Sequence, residues 1–109
     1  MNSTRPAWDS ENEETAIAAV MALQDETEVT WAARNAQYWK ARDIAVGKLT
    51  NQIVIFKIAK DDNVWQVRET AVRKLTCRDN LYYIALNEEK IHIRNLAIEI
   101  LTNRFFMNS

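Results

Sequence analysis

Three arginines recur at one spacing, Arg42, Arg68 and Arg94, each 26 residues after the last. A ladder of guanidinium groups can grip phosphates, because each planar fork donates two parallel hydrogen bonds. It can equally serve adjoining loops, and periodic placement suits stacking as well as binding. The acidic pairs Asp61–Asp62 and Glu88–Glu89 supply carboxylates and carbonyls for that role, so the arginine column is read as structural. Adjacent carboxylates in a solvated loop stay ordinary acids and do not divide into a general acid and a general base. His92 shares its register with Lys40 and Gln66, which marks an exposed position, and it has no second histidine with which to hold zinc. Cys77 is the one cysteine; it excludes an intrachain disulfide and agrees with a reducing, cytoplasmic compartment. The chain carries no Gly-rich phosphate loop and no nucleophile elbow. The expectation is a protein that is not an enzyme and uses no cofactor or metal.

A second constellation is suited to recognition. Trp31, Lys57 and Tyr83 fall in one column of the 26-residue register, and Arg34 and Lys60 lie one turn further on. If Leu81, Ile84 and Ala85 face a core, Tyr83 must face away from it. The result is a mixed aromatic and basic stripe of the composition enriched at interface hot spots. Trp39 and Trp65 share another column and are read as packing residues, since aromatic rings supply the most area in a thin core.

The elements that must position these residues follow from a repeated decapeptide: RDIAVGKLTN at 42–51, RETAVRKLTC at 68–77 and RNLAIEILTN at 94–103, with a degenerate copy, AIAAVMALQD, at 16–25. A fixed period of this length marks a stacked repeat. Ala19, Ala45, Ala71 and Ala97 align, followed by Val20, Val46, Val72 and Ile98, and then by Leu23, Leu49, Leu75 and Leu101. Ala and Leu at i and i+4 share one helical face, the buried stripe of a first helix in each copy. Val29, Ile55 and Leu81, with Ala32, Ile58 and Ile84 three positions on, form the stripe of a second helix. Glu69 and Arg73 stand at i, i+4 on the outer face as a solvated pair.

Helices are therefore expected near 11–24, 28–36, 38–50, 53–60, 64–76, 79–87 and 90–103. Ser10 and Glu13 have the spacing of a capping box. Asn35, Asp61 and Asn87 suit N-capping of the first helices that follow them. The fold class expected is all-α, a right-handed α-solenoid of about three to four stacked helix pairs. Residues 1–10 are expected to be disordered, with Trp8 available to fold over the first copy. Residues 11–103 form one solenoid domain, and 104–109 a tail or truncated helix. Phe105, Phe106 and Met107 would leave an apolar end suited to self-association, which keeps a homodimer or a self-assembling array open.

At VWQVRETAVRKL (64–75), preceded by Asp61 and Asp62, the chain resembles a HEAT-type repeat. Such repeats share an acidic residue, a Val-Arg pair, and then Ala and Leu in the first helix. Val67-Arg68, Ile93-Arg94 and Ala41-Arg42 carry that position here. The resemblance covers about residues 15–103, with a period shorter than the ~40–47 usual for HEAT units. The period is also similar to that of the leucine-rich-repeat-variant proteins, whose iron–sulfur cysteines this chain lacks. The resemblance implies a helical solenoid for macromolecular recognition, with second helices lining its concave surface. It also implies that each arginine pairs within the array. The expected function is a scaffold or adaptor that binds another protein or peptide. A formal charge of −1 with mixed signs argues against nucleic acid, whose phosphate term needs concentrated cations, although a nucleic-acid-binding repeat is the alternative. The apolar run Thr15–Leu23 is too short to span a bilayer.

Overall fold

The computed structural model of the chain describes residues 5–106, and the described residues are helical throughout with no strand. Seven α-helices follow in order: α1 (Glu13–Ala22), α2 (Glu26–Asn35), α3 (Trp39–Lys48), α4 (Gln52–Asp61), α5 (Trp65–Arg73), α6 (Arg78–Asn87) and α7 (Ile91–Leu101). Each falls within an expected range or within a few residues of it. No helix among them is long and apolar enough to cross a membrane.

Helix starts are set by local chemistry. Asp25 Oδ2 accepts the Glu28 N–H at 3.1 Å, and Asn51 Oδ1 accepts those of Ile53 and Val54 at 2.9 and 3.3 Å. Both satisfy donors that the first turn leaves open. The α1 cap is Asn12, which accepts from Thr15 N at 2.9 Å, while the Ser10 hydroxyl accepts only the Asn12 N–H. The expected Ser10–Glu13 capping box is thus displaced by a better-placed amide two residues on. Asn35 and Asn87 do not cap the following helices. They close α2 and α6, where their side-chain amides donate to the carbonyls of Trp31 and Tyr83 four residues back.

The described chain falls into two compact units that meet between Leu49 and Thr50 in sequence. In the first unit α2 packs on α3, α1 packs on α3, and a 3-10 turn at Ala7–Asp9 sits against α1. Residues 5–10, expected to be disordered, are held because Trp8 is buried and its Nε1 donates to Glu28 Oε1 at 3.1 Å. Tyr38 adds a tie, its hydroxyl donating to the Glu11 carbonyl. Lys48 reaches the open end of α1 and donates to the carbonyls of Val20, Met21 and Leu23 at 2.7–2.8 Å. A cation at a helix C-terminus satisfies orphan acceptors and complements the dipole.

In the second unit α4 packs on α5 and α6 on α7, while α5 meets α7 and α4 meets α6. The tightest pairing joins a second helix to the first helix that follows it. Ala45, Ala71 and Ala97 are all fully buried, and so are Leu49, Leu75 and Leu101 or nearly so. The columns read from sequence therefore have one meaning across these three copies. Ile98 departs from its column, since Val20, Val46 and Val72 are buried and Ile98 is exposed. Gln52 ties α4 to the end of α5, donating to Lys74 O at 2.9 Å and accepting from Thr76 N at 3.0 Å. Arg104, in a wide π-type turn at Thr102–Phe106, donates to Leu75 O at 2.8 Å.

Candidate functional site

The arginine column is turned into the loops. Arg42, Arg68 and Arg94 each donate Nη1 to the carbonyl six residues earlier, those of Ala36, Asp62 and Glu88, at 2.9, 2.8 and 2.7 Å. One geometry recurs because each arginine sits one turn into its helix, directly over the preceding loop. Arg68 does more. Its Nε and Nη2 donate to Glu88 Oε2 and Oε1 at 3.1 and 3.0 Å, a two-pronged pair with both residues buried. Glu88 Oε1 also accepts the Lys90 N–H at 3.0 Å. Burial by itself would push the Glu88 carboxyl up. Hydrogen bonds from Arg68 and from the Lys90 and Glu89 N–H groups, with the arginine's charge, outweigh burial and hold it below its ordinary 4.5. The carboxylate is thereby tied to Arg68 and to the start of α7, a structural engagement.

Above that pair lies an open groove of about 380 Å³, lined on the α4 side by Lys60, Asp61 and Asn63 and on the α6 side by Tyr83 and Asn87. Phe56 and Tyr83 meet edge to face at 5.6 Å between ring centres, 89° between planes. The Lys60 ammonium stands 4.8 Å from the Phe56 ring centre and 5.7 Å from that of Tyr83. Edge-to-face rings and a cation over their faces each add about 0.5–1 kcal/mol and hold the cluster in one arrangement. Ile53 and Leu86, on the same two helices, are 81% and 78% exposed. Apolar and aromatic side chains are thus exposed on α4 and α6 beside a groove whose lining carries both Lys60 and the acidic Asp61 and Glu89.

Of the residues singled out from sequence, Lys60 and Tyr83 meet in this cluster. Lys57 is exposed on α4 beside Phe56. Trp31 and Arg34 are exposed on α2, in the first unit. At the other end Phe105 is half-buried and Phe106 exposed, while Met107 lies outside the described residues. The sequence reading missed Phe56, Ile53 and Leu86. For Leu86 the signal was there, since it shares its column with Arg34 and Lys60. An apolar residue in an otherwise charged column is an exposed one.

Trp65 packs edge to face on His92 at 4.9 Å, and Lys40 lies over Trp39 at 5.9 Å. Both tryptophans are half-buried. Among the described residues no cluster of three His, Cys, Asp or Glu side chains is placed to hold a metal ion. Cys77 is exposed at the start of α6. No family model, no curated protein and no solved structure matches this chain.

Proposed function

We propose that the chain is a non-enzymatic, cytoplasmic interaction module, a right-handed α-solenoid of HEAT-like repeats that binds a protein partner on its second-helix face. The Phe56–Tyr83–Lys60 cluster, flanked by exposed Ile53 and Leu86, carries this reading. It offers rigid aromatic anchors, flexible aliphatic contacts and a cation on adjacent helices, the mixture that concentrates binding energy in few residues. The inward-turned arginines support it from the other side. With their Nη1 groups in the loops, they do not form a phosphate-gripping ladder.

The test is capture of a partner from cell lysate by wild type, Tyr83→Ala and Leu86→Asp. Each substitution is at an exposed position, so far-UV circular dichroism is expected to stay unchanged while capture drops at least about tenfold, as a hot spot requires. Equal recovery of the same partner by all three proteins would remove the α4–α6 face from consideration.

A further inference from the structure

Four carboxylates and two cations line the groove between the ends of α4 and α6. Arg68 and Glu88 answer each other through hydrogen bonds at 3.1 and 3.0 Å, so that pair cancels within itself. Asp62 turns Oδ1 to the Val64 N–H at 2.9 Å. Asp61 ends α4 and Glu89 follows α6; both are exposed, and neither has an ion-pair partner among the described residues. Lys60 is the cation left to balance them, and it is drawn over the rings of Phe56 and Tyr83, 4.8 and 5.7 Å from their centres. The groove therefore keeps an excess of negative charge, which a concave surface concentrates.

The neutral lining has the same bias. Asn87 donates Nδ2 to Tyr83 O at 2.9 Å, which leaves its Oδ1 as an acceptor on the α6 side. Tyr83 is 45% exposed, and its edge-to-face contact with Phe56 holds the ring in place at the groove. A ligand matched to this lining is positive, rich in donors and flat enough to lie on a ring. Among the described residues no three carboxylates are grouped to hold a metal ion, so the charge they match is a spread one. A guanidinium meets each condition, being planar and permanently charged, with five N–H donors and no acceptor. We infer that the groove receives an arginine side chain of the protein partner, an inference that rests on the interaction role proposed above for the α4–α6 face. Tyr83 supplies the ring on which the guanidinium stacks, and Asp61, Glu89 and Asn87 supply its acceptors.

The experiment is an NMR titration of the isotope-labelled chain at low salt with the capped tripeptide Gly-Arg-Gly, and with Gly-Lys-Gly and Gly-Glu-Gly as comparisons. Amide shifts are expected to saturate and to centre on residues 60–63 and 83–89, and the spectra themselves report the fold. Asp61→Asn and Glu89→Gln should each weaken Gly-Arg-Gly about two- to threefold, and D61N/E89Q about fivefold. Lys60→Met should tighten it about twofold, since the opposing cation is gone; an acidic ligand would respond with the other sign. Gly-Lys-Gly should bind more weakly and Gly-Glu-Gly should leave these amides unmoved. Absent or scattered shifts overturn the inference. So do equal responses to the arginine and lysine peptides, indifference to D61N/E89Q, or weaker binding by Lys60→Met. The two readings fail separately. Without the arginine response, loss of capture in Tyr83→Ala still upholds the α4–α6 face with a partner of other chemistry, whereas unchanged capture removes the face itself.

Discussion

Arg68 and Arg94 occupy the same place in two copies of one repeat, and α5 and α7 around them are built from the same columns. Each arginine donates Nη1 to the carbonyl six residues back. Beyond that they diverge. Arg68 closes a two-pronged pair on Glu88 with both partners buried, whereas Arg94 remains half-buried over the Glu88 and Glu89 carbonyls. Val72 in α5 is buried and Ile98 in α7 is exposed. The difference teaches that a repeat column specifies what a residue can do, and that the neighbour stacked upon it decides whether it does.

The sharpest way to break this comparison is to remove Glu88. A buried pair cut on one side leaves an uncompensated charge, so Glu88→Ala should cost about 3–5 kcal/mol in urea unfolding. Arg94→Met, losing carbonyl contacts at a partly solvated site, should cost about 1 kcal/mol. Replacing both partners, as in R68M/E88M, should recover much of the loss because no charge is then stranded. Equal costs for Glu88→Ala and Arg94→Met would show that the two copies are energetically alike.

The same pair makes a pH prediction. The Glu88 carboxyl is depressed in the folded chain, below its ordinary 4.5. Its contribution is therefore complete above that value and is lost as pH falls through the lower folded one. Unfolding followed between neutral pH and strong acid should show stability declining below about 4.5, and Glu88→Gln should flatten that decline. An unchanged slope in Glu88→Gln would place the acid sensitivity elsewhere.

Truncation sharpens the comparison at the level of packing. Val72→Ala removes two methyl groups from a filled site and should cost about 2 kcal/mol from lost transfer energy and a residual cavity. Ile98→Ala removes more carbon from an exposed position, yet in the monomer it should change stability by at most about 0.5 kcal/mol. The larger residue giving the smaller effect is the signature expected, read by denaturant midpoints at low protein concentration.

These outcomes also mark what was legible in the chain itself. The period, the seven helices and the inward columns of Ala and Leu could be read, because those positions recur for one physical reason: small residues for close approach, leucine to fill the space beside them. Loop-level chemistry was less legible. Asn35 and Asn87 closed the helices behind them, and Asn12 displaced Ser10 as the first cap. Several polar side chains within three residues compete for the same orphan groups, and geometry alone ranks them. The exposed Ile98 was illegible for a different reason. Its column gave the correct residue type, and only the stacking of helices shows which copy has nothing laid upon it. Phe56 was illegible because its cluster with Tyr83 and Lys60 exists only where α4 and α6 meet.

The smallest effect extends the column logic to the first unit. Gly47 lies inside α3, and its register mates Met21, Arg73 and Glu99 are all exposed. Column equivalence then says that a side chain at 47 points to solvent, and a Cβ built there meets nothing within 4 Å. The backbone at Gly47 has no positive φ, so nothing requires glycine for its conformation. Glycine in a helix interior costs about 0.5–1 kcal/mol relative to alanine, chiefly through the freedom it gives the unfolded chain. Gly47→Ala should therefore raise the urea midpoint by that small amount without altering helicity at 222 nm. A destabilised Gly47→Ala would mean that α3 is approached by a surface that α1, α5 and α7 do not meet at this column, and the equivalence of the copies would end at the first unit.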